Sequence, residues 1–274
     1  MINRESGSNM KILRQMMIIT LFLLPLQLIA MSGIEAAKAT EQNKQGYIDS
    51  LTSLKLDIIT SSGKKRSKKI LYKQKEKSET LGEASLMIFS PDKCSRSMAI
   101  LTIETEKEQA KQWIFLPALK KVRTLSTQTR SGSLAGSDFS YEDLAAHSFG
   151  NYRYSNDAAS ITYKKKKALL YTRYPKDPDS YYSRQEVIID AKTFILYKID
   201  FYDQKKALFK TLTIDGYRQI DNQLRFQTAT MQNHLNGNRS VFHVIDDRIN
   251  TGLTPDNFER EALEKQMKQT RCIR

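Results

Sequence analysis

The chain has 274 residues, a formal net charge of +14 and two cysteines. That length suits one or two domains, and two cysteines exclude a disulfide-stapled framework. The positive charge fits anionic lipid headgroups or acidic envelope polymers; with no base-stacking motif and a leader for export, nucleic acid is excluded as a partner.

In chain order, Met10-Lys11-Ile-Leu-Arg14 is a basic head. The apolar run Met16 to Met31, broken by Pro25, and then Ala37-x-Ala39 complete the pattern of a secretory signal peptide. The run is shorter than the roughly 20 residues of a spanning helix. Residues 1–39 are therefore expected to be removed, leaving 40–274 as one exported domain. No cysteine stands at the cleavage point, so the mature protein is not expected to be a lipoprotein. Export permits a bond between Cys94 and Cys272, which would tie the C-terminal tail to the body.

Beyond the leader the pattern is strand after strand. Leu54, Leu56 and Ile58 alternate with polar neighbours, and Ser61-Ser-Gly63-Lys64 is a turn. Further runs follow at 69–75, 86–89, 98–105, 112–116, 122–126, 161–163, 168–174, 186–190, 194–202, 207–217, 224–233 and 240–249. Ile195, Tyr197, Ile199 and Phe201 are expected on one dry face, and Val241, His243, Ile245 and Ile249 on another. His243 on such a face reads as a satisfied core residue. About a dozen strands make a sheet too wide to stay flat, so the expected fold is a single antiparallel barrel or half-barrel. Helix signals are few. Ser140-x-x-Asp143 is a capping box for a short helix through Ala146, and Thr254-Pro255-Asp256 opens a C-terminal one with Phe258, Ala262 and Leu263 as its apolar stripe. The lysine runs 64–69 and 164–167 read as solvated hairpin ends.

Catalytic constellations are missing. A nucleophile elbow needs glycines two residues either side of the serine. Ser133 has Ser131 and Ala135 there, and Ser137 has Ala135 and Phe139. His147, His234 and His243 share no metal-ligand spacing. Asp138, Glu142 and Asp143 do not follow a calcium loop, and read better as acids at a helix N-terminus. No enzyme, metal or cofactor is expected.

Gln112-Trp-Ile-Phe-Leu-Pro-Ala-Leu-Lys-Lys-Val-Arg-Thr-Leu125, followed by Ser131-Gly-Ser-Leu-Ala-Gly-Ser-Asp-Phe-Ser-Tyr-Glu-Asp-Leu144, resembles the outer-membrane lipoprotein-sorting protein family. The likeness continues in Asp179-Ser-Tyr-Tyr-Ser-Arg184, Phe201-Tyr-Asp-Gln-Lys205 and Asn250-Thr-Gly-Leu-Thr-Pro-Asp-Asn-Phe258. It implies a LolA-like fold: a half-open antiparallel β-barrel, mostly β, with short helices across its mouth and a short C-terminal helix. It further implies a hydrophobic cavity for a lipid or lipoprotein acyl chains, and an inner-membrane transporter of the ABC or RND/MMPL type as partner. The chain is then a monomeric periplasmic carrier or, as the alternative, a non-carrier module acting as an envelope sensor or transporter subunit.

On this reading residues 127–144 are a lid. Gly132 and Gly136 supply its hinge freedom, and Leu134, Phe139 and Tyr141 its apolar underside. Trp113 and Phe115 alternate with Ile114 and Leu116 on their strand. The first pair is assigned to the cavity.

Overall fold

The computed structural model describes residues 31–76, 83–90, 97–104, 110–145 and 149–269. The basic and apolar leader up to Ala30, Cys94, His147 and Cys272 lie outside the described residues. Helix α1 (Gly33–Gln42) precedes strands β1 (Asp49–Ile59), β2 (Lys65–Lys75), β3 (Glu83–Ser90), β4 (Met98–Glu104), β5 (Lys111–Leu116) and β6 (Lys121–Thr124). After α2 (Tyr141–Ala145) come β7 (Tyr152–Tyr154), β8 (Ala159–Tyr163), β9 (Lys166–Pro175), β10 (Tyr182–Asp190) and β11 (Leu196–Asp203). The last strands are β12 (Leu208–Ile220), β13 (Gln223–Asn233) and β14 (Arg239–Ile249), and α3 (Arg260–Gln269) ends the described chain.

All strands join one antiparallel sheet in the order β6-β5-β4-β3-β2-β1-β14-β13-β12-β11-β10-β9-β7, with β8 also on β9. Every neighbour pair but two is a sequential hairpin. The exceptions are β7 on β9 and the seam of β1 on β14, where Ile59 faces Arg239. The sheet does not close: its edges are β6 on one side and β7 and β8 on the other. This is the half-open barrel.

Alternation sorts the side chains onto two faces. The inner face carries Leu54, Leu56 and Ile58 of β1, Ile70 of β2, Val187 and Ile189 of β10, Ile199 and Phe201 of β11, and Phe242 of β14 in one apolar core. The outer face of β3 to β5 carries a second core, Leu86, Ile88, Leu101 and Phe115, which Phe258, Leu263 and Met267 of the C-terminal segment cover. Phe258 belongs to a 3-10 turn over Pro255–Phe258, where the fixed φ of Pro255 starts the segment.

Two expected faces change. In β11, Ile188 pairs with Lys198 but Ile189 with Leu196, so Tyr197 is an extra residue and Leu196, rather than Ile195 or Tyr197, joins Ile199 and Phe201 at the inner core. In β14 the inward residues are Ser240, Phe242 and Val244, because Ser53 pairs with Asp246 but Leu54 pairs with Val244. Ile245 is the extra residue of that bulge and is 64 % exposed. His243 consequently lies on the outer face, half-buried, with Nε2 3.2 Å from Asp57 Oδ2. It is no core residue. Asp57 also accepts from Lys65 at 2.8 Å and from Ser67 Oγ at 2.6 Å. Burial opposes its charge, but the hydrogen bonds from Lys65, Ser67 and Lys55 outweigh burial and hold its carboxyl at about 2. A depressed carboxylate stabilises the fold above its unfolded value near 3.8, and that contribution is lost as pH falls towards 2. Asp57→Asn should cost about 2 kcal/mol at pH 7 and under about 0.5 kcal/mol at pH 2. Urea titrations at both pH values would show this, and an equal loss at both would refute it.

Helix α1 is built into the domain. Ser32 and Glu35 form a reciprocal capping box, and Ala36, Ala37 and Thr40 are buried. The Met31 carbonyl accepts from Ala158 N at 2.8 Å, and Asn43 Nδ2 donates to the Thr193 carbonyl at 2.7 Å. The helix thus runs through the position at which sequence analysis placed the end of the leader.

Candidate functional site: a finger latched across the open side

The segment between β6 and β7 must travel from one edge of the open sheet to the other. It therefore crosses the open side, and it carries the Ser131–Leu144 motif. Its centre is a miniature hairpin. Leu134 N donates to the Phe139 carbonyl at 2.8 Å, Ser137 N to the Leu134 carbonyl at 2.9 Å, and Ser133 pairs with Ser140. Ala135 and Gly136 at the tip have φ of 54° and 78°. Two successive left-handed residues make a turn of the I′ kind, for which glycine suits the second position.

The finger points its apolar side inward. Leu134 is fully buried in the inner core, Phe139 packs on Phe242 with ring centroids 4.6 Å apart, and Tyr141 is half-buried against the same cluster. The predicted underside residues are thus together. The predicted hinge glycines have other tasks. Gly136 shapes the tip, and a Cβ on Gly132 would come within 3.0 Å of the Thr129 carbonyl oxygen.

A polar latch holds it down. Lys210 of β12 points inward in phase with Leu212 and Ile214, and its Nζ lies 2.6 Å from Asp143 Oδ2. The side chains are 1 % and 7 % exposed. Tyr182 OH donates to Asp143 Oδ1 at 2.8 Å, and the rings of Tyr182 and Phe201 flank the ammonium at 5.1 and 5.2 Å. Ser140 N donates to Asp143 at 2.7 Å while Asp143 N donates back to Ser140 Oγ at 3.3 Å, completing the predicted capping box of α2. Asp138 is gripped separately. Ser240 Oγ donates to its carboxylate at 2.7 Å and accepts from its backbone N at 2.9 Å, while Asn233 Nδ2 donates to it at 3.3 Å. Glu142 accepts from Ser180 Oγ and from Tyr181 N. Burial raises its carboxyl despite these donors.

The motif's three acids are therefore fastenings, each engaging a different part of the sheet or its turns. Ser133 and Ser137 hydroxyls donate to backbone carbonyls within the finger, and neither has a histidine partner among the described residues. No group of three metal-ligating side chains occurs among the described residues. Beside the latch a cavity of about 390 Å³ opens between the finger and the turns that follow β9 and β13. Ser137, Asp138, Tyr181, Phe209, Lys210 and Asn233 line part of it.

Strand β5 resolves the other way from the sequence assignment. Ile114 and Leu116 face the inner core, whereas Trp113 and Phe115 face the outer core beneath the C-terminal segment. Periodicity could not choose between the pairs because all four residues are large and apolar. The inner position also holds buried Gln112, whose Nε2 donates to the Tyr141 carbonyl at 3.1 Å and so ties α2 to β5. Lys210 and Ser240 were missed. Their signal was present: a polar residue in phase with inward apolar neighbours, as Lys210 is with Leu212 and Ile214.

A family model described only as uncharacterized-protein-like matches residues 82–265. No curated protein matches the chain. Among solved structures, an outer membrane lipoprotein-sorting protein domain from Vibrio parahaemolyticus is 29 % identical, with a TM-score of 0.79 over 85 % of this chain and 98 % of that one. A DUF1329 family protein from Desulfovibrio piger is 23 % identical, with a TM-score of 0.76 over 84 % and 97 %. A LolA superfamily protein from Nitrosomonas europaea is 17 % identical, with a TM-score of 0.67 over 85 % and 99 %.

Proposed function

The chain belongs to the outer-membrane lipoprotein-sorting family with a LolA-like fold, and from that premise we propose that it is a non-catalytic carrier for a lipid or the acyl chains of a lipoprotein. The observation that carries the proposal is the finger. It bridges the two edges of an open sheet and fills the concave face with its own Leu134 and Phe139. Burial is worth about 0.8 kcal/mol per CH₂, so a chain of roughly 16 carbons leaving a membrane must recover on the order of 12 kcal/mol. A shallow groove cannot offset that. A concave apolar face can, once the finger withdraws. The acyl chain then takes over contacts that Leu134 and Phe139 relinquish, which keeps the open-loaded and closed-empty states close in energy.

In this reading the protein acts in the periplasm. No helix among the described residues is long and apolar enough to cross a membrane. The capping box and the buried Ala36 and Ala37 of α1, which a cut after Ala39 would remove, support a cut upstream of Ser32. Donor and acceptor membranes, and an inner-membrane transporter as donor, follow from the carrier role.

Native mass spectrometry of protein recovered from the periplasm tests both points. A discrete added mass that fragments to a phospholipid, glycolipid or acylated peptide is expected, on a polypeptide beginning before Gly33. An unloaded mass that persists after incubation with envelope lipids would favour the partner-binding module instead.

A further inference from the structure

In a meander, successive turns alternate between the two ends of the sheet. The turns at 60–64, 117–120, 176–181, 204–207 and 234–238 all fall at one end, and two of them touch, with Ser61 N donating to Asn238 Oδ1 at 2.9 Å. The cavity beside the finger opens at this same end. Here the turns do something that polar hairpin ends do not. Leu119 is 53 % exposed, Leu235 is 66 % exposed, and Leu208 and Tyr181 are also exposed. Each stands on a different turn or at its edge.

Cations flank these tips. Lys64, Lys65 and Arg66 follow the first turn, Lys120 and Lys121 accompany Leu119, and Lys205 and Lys206 precede Leu208; all are exposed. The acids of these turns already have donors. Asp177 accepts from Asp179 N, Asp179 from Thr127 Oγ1 and Asp203 from Ala207 N. The opposite end differs. It carries Lys164–Lys167, but two of its turn tips, Lys164-Lys165 and Asp221-Asn222, are polar, and Lys164 is paired with Asp215 at 2.8 Å. Ile48 is its one exposed large apolar residue next to a strand end among the described residues.

Separated apolar tips ringed by lysine match a bilayer interface: leucine enters the acyl boundary while ammonium groups meet anionic headgroups. A protein interface would centre on a contiguous apolar core depleted of charge, which these lysine-ringed tips lack. We propose that this rim docks on an anionic lipid bilayer and aims the finger and its cavity at the membrane. The proposal does not depend on acyl-chain capture, because docking is read by vesicle binding and capture by extracted lipid.

The test uses the full-length processed protein with Cys94 and Cys272 replaced by serine, and an environment-sensitive dye on Leu235→Cys or, separately, on Lys164→Cys. With vesicles containing phosphatidylglycerol, the dye at 235 should shift to the blue and the dye at 164 should not. Vesicles of phosphatidylcholine alone should give little shift, and added salt should weaken binding. Leu119→Ser/Leu208→Ser/Leu235→Ser, all at exposed positions, should weaken sedimentation with anionic vesicles by about tenfold or more. Serine at 164–167 should leave it unchanged. Protein that ignores anionic vesicles, or a shift at 164 as large as that at 235, would overturn the proposal.

Discussion

Lys210→Met should lower the unfolding free energy by about 3–5 kcal/mol, the usual result of removing one partner from a buried ion pair. Asp143 would keep its donors from Tyr182 and Ser140 but lose the one full positive charge in contact with it among the described residues. The loss should be local as well as global. Amide exchange should quicken over the finger and α2 before it quickens in β10 to β14, because the latch fastens the former to the latter. Asp143→Asn combined with Lys210→Met should cost less than the sum of the single changes, since the double variant strands no buried charge. Urea melts of the three variants measure the coupling. A single-variant loss under about 1 kcal/mol would show that the pair holds nothing down.

Locking the finger should have the larger functional effect. Asp138 and Ser240 are joined by two hydrogen bonds, one through the backbone of Asp138 and one through its carboxylate. Cysteines at these two positions, with Cys94 and Cys272 changed to serine, should form a bond that fixes the finger to β14. If loading requires the finger to withdraw, the oxidised protein should take up no fluorescent fatty-acyl probe, and reduction should restore uptake. The reduced form controls for the substitutions themselves. Equal uptake in both redox states would remove the finger from the loading path and place acyl chains elsewhere on the molecule.

Much of this architecture was legible in the sequence because strand alternation is a local signal. Leu54, Leu56 and Ile58 announced an inward face, and β1 presents them there. The capping box at Ser140 and the proline start at Pro255 were legible for the same reason: each involves residues three or four apart. What failed was parity under perturbation. One bulged residue, Ile245, reversed the expected faces of β14 and moved His243 outward. In β5 the two faces are equally apolar, so only the presence of a second core on the outside could tell Trp113 from Ile114. The latch was hidden for a different reason. Asp143 and Lys210 are 67 residues apart, and no local pattern links an acid in a loop to a lysine inside a distant strand. The acids of the motif looked like helix N-terminal charges, which Asp143 is, but that role accounts for only part of its contacts.

The seam between β1 and β14 bears on how the chain comes to be folded at all. Nearly every other pairing in the sheet is between neighbours in sequence, so each can zip from a short turn at little loop-closure cost. The seam alone must bring Ser50 to Ile249. A chain that emerges N-terminus first delivers β1 to β6 long before β14 exists. During that interval β1 shows an unpaired edge, with inward Leu54, Leu56 and Ile58 still lacking Phe242 as a neighbour. The slow, hazardous step in making this protein is therefore the wait for its last strand. Conditions that stall the emerging chain between β6 and β14 should leave it most open to pairing with the wrong edge.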